Sequence, residues 1–145
     1  MIDSNEKYMD VNLLPDCEKI KLIESEVSRL LLQININVKY RGYSFLKDCV
    51  SYIVFNNLIC FNLSKEIYPV VSKKNNVSCA MVEKSIRLAI DQASCMYDSK
   101  KKPTNDLEQC IKNMFLINHT KYAISCLSEI IRNNIYNKKY TNFNY

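Results

Sequence analysis

From Asp16 onward the apolar residues Ile20, Ile23, Val27, Leu30 or Leu31, and Ile34 recur at steps of three and four, the repeat of a single helix face. The spacing returns at residues 43–57 (Tyr43, Leu46, Cys49, Val50, Ile53, Val54), 78–97 (Val82, Ile86, Ala89 or Ile90, Ala93) and 121–135 (Tyr122, Ile124, Leu127, Ile130, Ile131). Each stripe must be buried against another, and one glycine with three prolines is poor material for a turn-rich β fold. A chain of 145 residues, 48% hydrophobic, can fill one core. The expectation is an all-α fold: a single compact domain of about six helices containing a helix-turn-helix, with an extra C-terminal helix.

Local signals divide the chain further. Residues 1–15 lack periodicity and read as a flexible N-terminal arm, residues 16–136 as the helical domain, and residues 137–145 as a frayed tail. Pro15 and Asp16 make a helix start. "NINVKYRG" alternates in an extended-looking way and ends on Gly42, which supplies either a positive φ or a close backbone approach. A short helix over 63–68 precedes Pro69, which either opens a further helix or kinks this one. Ser78 is an N-cap candidate. After the basic loop "DSKKKPTN", Asn105 followed by Glu108 reads as a capping-box start for a helix near 106–117.

Charge and cysteine content exclude several function classes. Residues 1–30 carry seven acids against four bases, whereas residues 65–102 carry eight bases against four acids. The basic excess is thus concentrated in the middle of the chain. Seven cysteines without a C-x-x-C pair, and His119 as the one histidine, argue against a disulfide framework and against a metal site. Most of the cysteines are expected to act as small buried hydrophobes. There is no Gly-rich phosphate loop and no activated nucleophile, so no catalytic residue, cofactor or metal is expected and the chain reads as a non-enzyme. No apolar run approaches a membrane span, and the polar N-terminus lacks the pattern of a signal peptide, which makes the cytoplasm the expected location.

"VVSKKNNVSCAMVEKSIRLAI", residues 70–90, concentrates the candidate chemistry. Ser72 is the small residue of a first helix, Asn76 tolerates the left-handed turn, and Val77 and Val82 can lock a second helix onto the first. On that second helix Met81, Glu83, Lys84, Arg87 and Leu88 lie away from the apolar stripe. Arg and Lys can donate to guanine, Glu can accept from cytosine, and an apolar side chain can touch a thymine methyl. Lys73, Lys74 and the lysines at 100–102 could hold phosphates. The plain alternative is a surface hairpin whose Glu83–Arg87 pair contributes only a few tenths of a kcal/mol.

Taken together, "YRGYSFLKDCVSYIVFNN", "LSKEIYPVVSKKNNVSCAMVEKSIRLAI" and "KKPTN" resemble the C-terminal effector domain of stage 0 sporulation protein A, over residues 22–93 and again at 102–105. That family comprises response regulators of endospore-forming bacteria. The resemblance implies a helix-turn-helix that binds a short promoter element and regulates transcription, as a tandem pair or homodimer on double-stranded DNA. It places Glu83 and Arg87 at a Glu and an Arg of the family's recognition helix, Lys84 at a second Arg, Leu88 at a His, and Met81 at a further basic residue. It also implies phosphate contacts from Lys73, Lys74, Ser78, Lys101, Lys102, Thr104 and Asn105. Three departures are expected: no receiver domain before the effector, a shorter link between recognition helix and K-P-T-N, and a last helix beyond the family's usual end. That helix either packs on the domain or pairs with a second copy. A second reading is a protein-interaction module that joins the full-length regulator or RNA polymerase without reading DNA.

Overall fold

Four of the helices described stop on an asparagine in the left-handed region. The structure, a computed structural model, describes residues 10–98 and 100–137. Among those residues the non-glycine positions with positive φ are Asn35, Asn57, Asn76 and Asn118, at 50–67°. Asparagine enters the left-handed region more readily than other side chains, so it takes the terminating role glycine usually holds. Past Asn35 the amide of Ile36 donates to the Leu31 carbonyl at 2.9 Å, and past Asn57 that of Leu58 donates to the Ile53 carbonyl at 3.0 Å. These bonds satisfy carbonyls that a helix end leaves open.

The described residues hold six α-helices and no strand: α1 (Asp16–Gln33), α2 (Arg41–Phe55), α3 (Tyr68–Asn75), α4 (Cys79–Met96), α5 (Asp106–Ile117) and α6 (Thr120–Arg132). None is long and apolar enough to cross a membrane. α2 is the central helix, packed against α1, α4 and α6, and it buries Phe45, Leu46, Cys49, Val50, Ile53 and Val54. Burial, with the Asp48 carboxylate beside it, pushes the Cys49 thiol far above its ordinary range. The expectation that most cysteines are buried is corrected: Cys17, Cys60 and Cys95 are exposed, and Cys79, Cys110 and Cys126 are half-buried.

Gly42 does not have a positive φ; its role is close approach. A Cβ there would lie 2.1 Å from the Ser85 carbonyl oxygen and 2.6 Å from the Ala89 Cβ, so α2 and α4 touch backbone to side of backbone. "NINVKYRG" forms no strand. Of its alternating residues Ile36 is buried just past the Asn35 reversal, whereas Val38 is exposed. Pro69 opens α3 rather than kinking it, and a π-type turn at Leu63–Ile67 leads straight into that helix. Proline is harmless there because the first turn's N–H groups have no intrahelical partner. Of the arm expected over residues 1–15, residues 1–9 lie outside the described residues. Residues Val11–Leu13 form a 3-10 turn capped by Asp10, with Val11 buried. The last helix ends at Arg132 and passes into a π-type turn, Asn133–Asn137, with Ile135 buried; tail residues 138–145 lie outside the described residues.

Candidate nucleic-acid interface

α3 and α4 form a helical hairpin fixed at its corner by short-range chemistry. Asn76 adopts φ 54°, ψ 47°, and the Val77 amide donates to the Ser72 carbonyl at 3.0 Å. The Ser78 side chain then accepts from the Met81 amide at 3.1 Å, capping α4. Ser72 sits buried where the helices approach: its hydroxyl donates to the Pro69 carbonyl at 3.1 Å, and the Cys79 thiol meets it at 3.5 Å. From α2, Asp48 reaches across to Lys74 at 2.8 Å and to the Asn75 side-chain amide at 3.0 Å. This brace lies 26 and 27 residues away in sequence, beyond the reach of any local motif.

α4 buries Val82, Ile86, Ala89, Ile90 and Ala93, as its stripe requires. Met81, Glu83, Lys84, Arg87 and Leu88 all lie on the opposite, exposed side. Glu83 and Arg87 are joined at 3.5 Å, and each keeps 53% of its side chain in solvent. Such a pair is weak enough to open or re-aim toward a ligand. Glu83, Lys84 and Arg87 are all exposed, so α6, which packs mainly on α2 and α5, does not occlude them. Lys73 and Ser78 are exposed at the same end as Met81, while Lys74 is engaged by Asp48.

Lys101, Lys102, Thr104 and Asn105 are exposed too, but lie past Met96 at the other end of α4. Eight residues separate Leu88 from Met96, about 12 Å along the axis, so the expected phosphate residues fall into two groups. In the second group Thr104 and Asn105 already have internal partners. Asn105 accepts from the Glu108 amide at 2.8 Å, and the Glu108 carboxylate accepts from the Thr104 amide at 2.6 Å and from its hydroxyl. The Thr104 hydroxyl and then its amide hold Glu108 below the usual carboxylate range; slight burial opposes this and Lys101 adds to it.

Local sequence patterns gave no warning of a groove of about 580 Å³ running along one flank of α4. Glu83, Arg87 and Asp91 line it together with Tyr68, with His119 of the α5–α6 joint and with Lys121 in the first turn of α6. Burial pushes the Tyr68 hydroxyl up; Cys49 and Glu83 reinforce the shift and Arg87 opposes it. The sequence marked Tyr68 only as the last residue of a short expected helix over 63–68.

A family model described as "Sporulation initiation factor Spo0A C terminal" matches residues 27–135, three quarters of the chain. The chain belongs to this family. It is a DNA-binding effector domain of the sporulation-regulator type, and its all-helical fold is consistent with a helix-turn-helix. The match runs through α6, so the last helix lies inside the family's span and is not the addition that the resemblance implied.

Proposed function

We propose that this domain regulates transcription by inserting α4 into the major groove of a specific DNA element. The observation that carries the reading is the exposed, polar face of a helix otherwise locked into the core, bearing Glu83, Lys84 and Arg87. Arg87 and Lys84 donate to guanine, Glu83 accepts from cytosine, and Met81 and Leu88 touch thymine methyls. Lys73 and Ser78 hold the phosphates at the near end, and Lys74 does so by exchanging Asp48 for a phosphate oxygen. Lys101 and Lys102, with Thr104 and Asn105 beside them, contact the backbone at the far end. Lysine at position 84 supplies a point charge without the fixed fork of arginine, so base discrimination rests chiefly on Arg87.

Selection of bound duplexes from a random library tests the reading: one enriched element is expected, and recovery no better than chance would reject it. One observation favours a second reading. Met81 and Leu88 expose 40% and 53% of their surface on this face, which suits docking to the full-length regulator or to RNA polymerase. That reading predicts no enriched duplex and a stable protein complex.

A further inference from the structure

Where α1 and α4 both come to an end, a second cleft of about 410 Å³ opens, sharing no residue with the groove beside Arg87. Clefts that take small ligands run from about 300 to 1,000 Å³. Part of the lining is apolar: Ile34, just past α1, and Phe115 of α5 are buried, and Ile111 and Pro103 are half-buried. The Tyr97 ring, 5.0 Å from that of Phe115, makes this part aromatic. The charged part carries both signs, Lys101 and Lys102 with Asp98 and Glu108. Thr104 occupies only one of the two Glu108 carboxylate oxygens. The C-terminal ends of α1 and α4 add partial negative charge. Two lysines and two carboxylates leave no net charge to favour a plain anion or a plain cation. A molecule carrying one charge of each sign on an apolar body matches the whole lining.

We propose that this cleft binds a small zwitterion of the amino-acid class with an apolar side chain. The ligand's ammonium pairs with Asp98 and Glu108 and its carboxylate with Lys101 and Lys102. Its side chain packs on Phe115, Ile111 and Pro103, and an aromatic one suits the Tyr97–Phe115 pair best. Lys101 and Lys102 are also the far-end phosphate contacts of the proposed DNA complex. An occupied cleft therefore draws them away from the duplex, and by linkage each ligand weakens the other. This coupling rests on the DNA-binding reading; the binding of the amino acid does not.

Calorimetric titration of the full chain with L-phenylalanine, in the absence of DNA, tests the site. Saturable binding of one molecule per chain is expected. Phenylacetate, which lacks the ammonium, and phenethylamine, which lacks the carboxylate, should each bind about tenfold more weakly. Lys101→Ala and Lys102→Ala combined should cost a similar factor, whereas Lys21→Ala, at an exposed position early in α1, should change nothing. Absence of saturable binding, analogues that bind as well as L-phenylalanine, or a double variant that binds as the parent does would overturn the proposal. The analogue series on the unaltered chain keeps the test independent of how the variants fold. Saturating L-phenylalanine should then weaken binding to the selected duplex severalfold and make its salt dependence shallower; unchanged duplex affinity would overturn the coupling. A chain that binds L-phenylalanine but enriches no duplex would reject the DNA-binding reading alone.

Discussion

Replacing Gly42 by alanine separates two effects of opposite sign. Alanine is the better helix former by about 1 kcal/mol, so an isolated α2 would gain stability. In the folded chain the new Cβ would meet the Ser85 carbonyl oxygen at 2.1 Å, where ordinary contact begins at 3.4 Å. The obstacle is the backbone of α4, which cannot swing aside as a side-chain tip could. The helices would have to part by more than 1 Å along an interface of fully buried side chains, including Leu46, Cys49 and Ile86. Overpacking of this kind costs about 1–3 kcal/mol, and a backbone obstacle points to the upper end. After the gain in propensity, a net loss of about 2 kcal/mol remains. For a protein of this size that corresponds to a fall in Tm of roughly 4–8 °C. Urea and thermal melts followed by far-UV circular dichroism would measure it. An alanine variant as stable as the parent, or more so, would refute the argument, because it would mean that α2 and α4 have slack.

Asn76→Ala should destabilise the fold by about 1 kcal/mol, because alanine must hold the left-handed turn, whereas Asn76→Gly should be neutral or better; equal urea midpoints for the two variants would contradict this. Lys101→Ala should weaken binding to all duplexes alike and make the slope of log K against log salt shallower by about 0.9; a loss confined to one sequence would contradict a phosphate role. Glu108 has a lowered folded-state pKa, so its contribution is complete above the ordinary glutamate value and is lost as pH falls through the lower, folded one. The stability gap between the parent and Glu108→Gln should therefore close on acidification, and a gap independent of pH would count against the Thr104 contacts.

Helix type and number were legible because the stripes through Val27, Val50, Ile86 and Leu127 each repeat over several turns. The caps at Ser78 and Asn105 were legible because capping is a local bond between near neighbours. Asn35, Asn57 and Asn118 were not singled out, because only Asn76 fell at the turn of a helix-turn-helix pattern. Gly42 stayed ambiguous because its partner, Ser85, is remote in sequence. The Asp48 brace and the pairing of Tyr68 with the α5–α6 joint are tertiary facts with no local pattern. The exposed face of α4 followed from the position of its apolar stripe. What the sequence concealed was how far Lys101 and Lys102 lie from that face.

The central claim is that the Arg87 side of α4 reads bases. Its most direct test is the affinity of Arg87→Ala for the selected duplex and for a scrambled one, measured at one fixed salt concentration. The account predicts a loss of about 1–3 kcal/mol on the selected duplex and little change on the scrambled one. Equal losses on both would contradict it.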